Sequence, residues 1–180
     1  WLGTPQLKAL WKDATFDCGQ AGTVEEDASG CETPQFGILT PPEGPEPRIN
    51  GASEYGVRPG RPILYRVPVT GQAPLSVEVK GLPEGLVFNP QARLLTGTIA
   101  ARGDCRLVFS ARNAVGRAEK TFTIRVGDRI CLSPPMGWSA WNAWRARMTD
   151  EIIRETGRVF VEKGLADHGW CYVNLDDGWQ

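Results

Sequence analysis

The chain has 180 residues, 41% hydrophobic and 23% charged, with 20 basic and 21 acidic side chains for a net charge of −1. That balance leaves no basic surplus for a phosphate backbone and argues against nucleic acid as a partner. No apolar run approaches the roughly 20 residues that a membrane-spanning helix needs. The charge is unevenly spread: residues 1–50 hold 3 basic and 8 acidic side chains, residues 51–128 hold 11 and 6, and residues 129–180 hold 6 and 7. Three zones of different composition imply segments with different jobs. There is no initiator Met and no leader pattern at the start, and both ends read as cut, so the expectation is a piece of a longer protein.

Residues 1–47 carry little pattern. Leu2, Leu7, Leu10 and Trp11 could share one side of a short helix. Gly, Pro and acidic residues then dominate, and the run Pro41-Pro42-Glu43-Gly44-Pro45-Glu46-Pro47 reads as a stiff, extended linker at a domain boundary. Five cysteines cannot all pair within the chain. Cys18 and Cys31 flank a polar stretch and could bridge in an exporting context. Cys105 and Cys171 fall in strand-like runs and read as small buried hydrophobes. No C-x-x-C occurs and His168 is the single histidine, which weighs against a zinc site; no metal or other cofactor is expected. His168 itself reads as a loop histidine with no assigned role.

Residues 48–128 read as all-β. Ile63, Tyr65 and Val67 alternate with Leu64 and Arg66, and Leu75, Val77 and Val79 with Ser76, Glu78 and Lys80. The same period of two runs through Cys105, Leu107, Phe109 and Ala111 and through Phe122, Ile124 and Val126, as half-buried strands require. Turn signals divide the runs, among them Pro59-Gly60, Thr70-Gly71, Asn89-Pro90 and Val115-Gly116. Six or seven short strands predict a two-sheet antiparallel sandwich. The motifs Gly81-Leu82-Pro83-Glu84-Gly85-Leu86, Leu95-Thr96-Gly97-Thr98 and Ala111-Arg112-Asn113-Ala114-Val115-Gly116 resemble those of the immunoglobulin-like domains of bacterial secreted proteins. The resemblance implies a sandwich that serves as spacer or docking surface, and it implies no activity. The Cys…Trp…Cys pattern of antibody domains is missing.

Residues 133–180 change character. Met136-Gly137-Trp138 can begin a strand. Thr149 or Asp150 is placed to cap a helix, with Asp150 and Glu151 in its first turn. Ile152, Ile153, Val159, Phe160 and Leu165 give its apolar stripe, and Gly164 stops it. Cys171 to Leu175 forms a second strand. Strand, helix, strand predicts a βαβ unit with a parallel sheet, whose ligands lie beyond the carboxyl ends of the strands, where Asp176 and Asp177 fall. A carboxylate pair there, with an aromatic face at Trp141, suits a sugar: ionised carboxylates accept from hydroxyls, and the ring covers C–H bonds. The same residues are compatible with a helix cap, a metal site or, for the tryptophans, a core.

The motifs Pro134-Pro135-Met136-Gly137-Trp138-Ser139-Ala140-Trp141-Asn142, Gly164-Leu165-Ala166 and Tyr172-Val173-Asn174-Leu175-Asp176-Asp177-Gly178-Trp179 resemble the start of the catalytic barrel of melibiase-type α-galactosidases, glycoside hydrolase family 27. The resemblance implies a multidomain chain: an all-β immunoglobulin-like sandwich (48–128) followed by the first βαβ unit of a (β/α)8 TIM barrel (133–180). It implies substrate binding by Trp141, Asp176 and Asp177, with Trp138 and Trp179 structural, and retaining hydrolysis of α-galactosides. Relatives of the family act on α-N-acetylgalactosaminides or β-L-arabinopyranosides. The family's nucleophile and acid/base are aspartates on later strands, beyond residue 180, so the chain by itself is expected to be inactive. Where many members carry a disulfide, this sequence has Ala146 and Gly178. The alternative reading is a non-catalytic Ig-like module that binds carbohydrate or protein. The sandwich and linker favour a secreted or periplasmic location.

Overall fold

The computed structural model describes residues 43–177. The expectations for residues 1–42, for a Cys18–Cys31 bridge, and for Gly178 and Trp179 lie outside the described residues. The first part of the described chain is a sandwich. One sheet has the order β2-β9-β8-β5, built from Glu54–Val57, Arg117–Val126, Gly103–Arg112 and Ser76–Lys80. The facing sheet has the order β3-β7-β6, from Pro62–Arg66, Leu94–Thr98 and Leu86–Asn89, and a short pair joins β1 (Arg48–Ile49) to β4 (Val69–Thr70). The alternations at 63–67, 75–80, 105–112 and 121–126 fall on β3, β5, β8 and β9 and bury their apolar members: Ile63, Val77, Leu107, Phe109, Phe122 and Ile124 are each no more than 2% exposed. Phe109 and Phe122 pack with centroids 5.3 Å apart, and Tyr65 lies 4.5 Å from Phe122 across the sandwich. Burial raises the Tyr65 phenol well above its ordinary pKa, so it stays protonated.

One pairing departs from the antiparallel expectation. β2 runs parallel to β9, from Glu54 opposite Thr123 to Val57 opposite Val126. β8 occupies one edge of β9, and the other edge needs backbone partners. β2 supplies them before residues 58–61 carry the chain to the opposite sheet. Arg125 ties the three strands together, donating to Glu54 at 2.6 and 3.1 Å on β2 and to Asp104 at 2.5 Å on β8. That hydrogen bonding holds the Glu54 carboxyl below its ordinary pKa.

The sequence motifs find local physical reasons here. Gly97 and Gly85 lie back to back, and a Cβ on Gly97 would stand 2.0 Å from the Gly85 carbonyl oxygen. Asn113 closes the β8–β9 hairpin by accepting from the N–H groups of Val115 and Gly116 at 3.0 and 2.9 Å. Its amide nitrogen donates to the carbonyls of Pro45 (2.7 Å) and Gln72 (3.0 Å). Residues 45–47 of the Pro-rich run are thereby held on the sandwich, with Pro47 buried.

The second part is a strand–helix–strand unit. β10 (Gly137–Ser139) leads through a short helix α1 (Trp141–Trp144) and a 3₁₀ turn (Arg145–Arg147) to α2 (Asp150–Glu162). Thr149 caps α2, its Oγ1 accepting from the Ile152 N–H at 3.3 Å, with Asp150 and Glu151 in the first turn, as the sequence predicts. Thr156, Val159 and Phe160 are buried, while Arg154 and Arg158 pair with Asp150, Glu155 and Glu162 on the wet side. The helix stops at Glu162 rather than reaching Leu165, because Gly164 turns the chain with φ +75°; Leu165–His168 is a separate 3₁₀ turn. β11 (Tyr172–Asn174) then pairs parallel with β10.

Replacing Asn113 with alanine removes hydrogen bonds to four backbone groups on three segments. At about 1 kcal/mol each, partly recovered by water, the expected loss is about 1–3 kcal/mol, read as a lower urea midpoint with an unchanged m-value.

Candidate functional site

Parallel strands present their carboxyl ends together, and here the register fixes which residues meet. Gly137 is opposite Tyr172, Trp138 opposite Val173, and Ser139 opposite Asn174. The Ala140 N–H donates to the Asn174 carbonyl at 3.2 Å, carrying the pairing one step further. Trp141 after one strand and Asp176 after the other therefore each follow two residues beyond the last paired residues, and Asp177 comes next. The three residues singled out in the sequence belong to one strand end.

The close approach of the strands has a specific cause. A Cβ on Gly137 would stand 2.1 Å from the Tyr172 carbonyl oxygen, so only glycine admits this pairing. Trp141 opens α1 and is 36% exposed, whereas Trp144, on the same helix, is 7% exposed and belongs to the packing. Trp138 is half-buried. The tryptophan cluster thus divides into one ring open to a ligand and two that pack. The α1 turn ends at Arg145, whose backbone holds φ +50° and ψ −138°, a strained conformation for a residue with a side chain.

Asp176 and Asp177 are both exposed. Ser139 Oγ donates to Asp176 Oδ2 at 3.0 Å, fixing the orientation of that carboxylate. Sequence reasoning missed Ser139. The signal was available in principle, since two residues at equivalent register on parallel strands place their followers side by side. Among the described residues no group of three or more His, Cys, Asp or Glu side chains converges in a way that could hold a metal ion. The chemistry on offer at this end is hydrogen-bond acceptance beside an aromatic face.

Cys171 departs from the expectation of a buried strand residue. It precedes β11 and is exposed, its N–H donating to the Met136 carbonyl at 3.1 Å. Partial desolvation of its sulfur raises the thiol pKa, which keeps it protonated and a weak nucleophile. Cys105, read as buried, lies on β8 and is half-buried. A second cleft, beside β2 and the end of β9, is lined by Glu54, Asp104, Arg125 and Asp128. Most of its charges are matched within the protein, Arg125 with Glu54 and Asp104, and Asp128 with Arg102 at 2.9 Å, and Arg129 also lines it.

Residues 46–127 match the family model described as "Putative Ig domain". The chain is 52% identical over 64 residues to the alpha-galactosidase of Coffea arabica, covering 36% of this chain and 17% of that protein. It is 32% identical over 112 residues to alpha-galactosidase 3 of Arabidopsis thaliana, covering 62% of this chain and 24% of that one. A solved structure described as a putative alpha-galactosidase from Bacteroides fragilis NCTC 9343 superposes with TM-score 0.72 at 34% identity, over 79% of this chain and 31% of that one. That superposition takes in more of the chain than the sandwich alone occupies. The chain spans less than a third of the length of each of these proteins.

Gly137→Ala should push β10 off β11 at a cost of about 1–3 kcal/mol. Limited proteolysis should then cut within residues 133–177 at least about tenfold faster, while the fragment covering residues 46–127 stays intact.

Proposed function

We propose that this chain, an α-galactosidase-like protein with an Ig-like domain, supplies one wall of the sugar pocket of a retaining glycoside hydrolase acting on terminal α-galactosides. In this reading residues 133–177 are the opening βαβ unit of a (β/α)8 barrel of the glycoside hydrolase family 27 type. The observation that carries it is the shared strand end: Trp141, 36% exposed, and Asp176 and Asp177 all follow the paired ends of β10 and β11, at the side of a parallel sheet where barrel enzymes bind their substrates.

The chemistry follows from the groups themselves. Sugar hydroxyls donate to carboxylate oxygens, and hydrogen bonds with a charged partner are the stronger kind. Ser139 occupies Oδ2 of Asp176 and leaves Oδ1 to accept from a hydroxyl. Trp141 offers a flat apolar surface to the C–H face of the ring. In a retaining reaction one carboxylate attacks the anomeric carbon and another, about 5–5.5 Å away, protonates the leaving oxygen. We assign neither role to Asp176 or Asp177. They hold the sugar, and hydrogen bonds that tighten as the ring distorts contribute to the rate. The Ig-like module supports an exported protein, secreted or periplasmic.

The test uses the protein translated from the complete reading frame that contains this sequence, with p-nitrophenyl α-galactoside as substrate. Asp176→Asn, Asp177→Asn and Trp141→Ala should each lower kcat/KM by about 10- to 100-fold, the loss of roughly 1–3 kcal/mol of contact with the sugar. Full activity in both aspartate variants would sink the reading. Absence of glycosidase turnover in the wild-type protein would favour the Ig-like module as a carbohydrate- or protein-binding unit. The 180-residue chain alone is expected to release no p-nitrophenol above the buffer blank.

A further inference from the structure

We propose that Asp167 is a positioning residue for the strand-end site, and that the sandwich is the mount which holds that site in place. The proposal rests on the reading of Asp176 and Asp177 as sugar-binding residues. It starts from how the two parts of the structure touch. Outside the sandwich the buried apolar side chains are Ala140, Trp144, Val159 and Phe160, all within the strand–helix–strand unit. The contact between the parts includes a polar, directional set of bonds.

Its centre is the turn Leu165–His168, directly before β11. Asp167 Oδ1 lies 2.7 Å from Arg66 Nη1 on β3 and 3.3 Å from Arg93 Nη1 in the β6–β7 turn. Arg66 Nη1 and Asp167 Oδ1 are both sealed from solvent and make no hydrogen bond, so what compensates their burial is the charge attraction between them at 2.7 Å. The Asp167 carbonyl accepts from Asn50 Nδ2 at 2.9 Å. Asn50 is itself fixed, donating to the Pro68 carbonyl at 2.9 Å and to Thr70 Oγ1 at 3.0 Å, while Lys120 Nζ donates to its carbonyl at 3.1 Å. Arg93 is held by a bond to the Val69 carbonyl at 3.1 Å. Beside the carboxylate, His168 Nε2 lies 2.5 Å from Glu43 Oε1, and a Cβ on Gly169 would stand 3.1 Å from the Gly51 backbone. On the far side of the turn, Trp170 donates to the Leu165 carbonyl and Cys171 to that of Met136. The path from the clamped carboxylate to Asp176 is therefore nine residues with backbone bonds along it. A carboxylate between two guanidinium groups, one of them tied to the Val69 carbonyl, sets position through directional charge contacts, and displacements of about 1 Å at a reacting centre can cost as much as 100-fold in rate.

The experiment has two readouts. In the 180-residue chain, hydrogen exchange followed by mass spectrometry should show amides of residues 165–175 exchanging at least about tenfold faster in Asp167→Asn and in Arg66→Met/Arg93→Met. The β8–β9 hairpin should keep its protection, which shows the variants remain folded. Combining the three substitutions should add little, because each variant removes the same clamp. In the protein from the complete reading frame, Asp167→Asn should raise KM for p-nitrophenyl α-galactoside several-fold more than it lowers kcat. Unchanged exchange at 165–175 overturns the clamp. Faster exchange with unchanged KM, where Asp177→Asn does raise KM, overturns the positioning role and leaves the sugar site standing. If Asp176→Asn and Asp177→Asn both leave kcat/KM unchanged as well, the sugar-site reading fails and takes this proposal with it.

Discussion

Only one body of buried side chains among the described residues is large enough to hold itself together, the layer between the two sheets of the sandwich. Phe109, Phe122, Leu95, Leu107, Ile124, Val67, Val69 and Val77 are all essentially removed from water there. The strand–helix–strand unit has four buried apolar side chains and a two-strand sheet, far less than an independent domain requires. Its position is consequently a matter of what it leans on. The charges and amides at the contact between the parts fix a relative orientation while burying little area.

The strand end works by a division of labour among groups that resemble one another in the sequence. Three tryptophans at 138, 141 and 144 take different fates because a strand and a short helix turn them to different sides. Ser139 orients the Asp176 carboxylate. Glycine at 137 is the precondition, for without that close approach Ser139 and Asn174 would not share a register.

Much of this was legible in the chain, and the limits have physical causes. Alternation of period two announces a strand wherever one face is buried, so β3, β5, β8 and β9 could be read directly. The capping residue Thr149 and the stop at Gly164 are local signals and were equally readable, although the apolar residue at 165 suggested a longer helix than the αL turn permits. β2 was not legible: four residues with an internal glycine show no period, and its parallel course is decided by the unfilled edge of β9. That Trp141, Asp176 and Asp177 follow the ends of β10 and β11 was legible, because residues adjacent in sequence to strand ends stay close to them in space. The Asp167 clamp could not, since its partners lie about 74 to 117 residues away, beyond the reach of local pattern reasoning. Cys171 was misread because its neighbours Tyr172 to Asn174 look like a strand interior while the cysteine stands just outside it.

The parallel course of β2 beside β9 has a mechanical meaning. The first strand of the four-stranded sheet and the last run in the same direction and lie side by side. Tension between the start of β2 and the end of β9 therefore draws the two strands lengthwise past each other, and the bonds between them must yield together. In an antiparallel terminal pair the same pull would open them one at a time, like a zip.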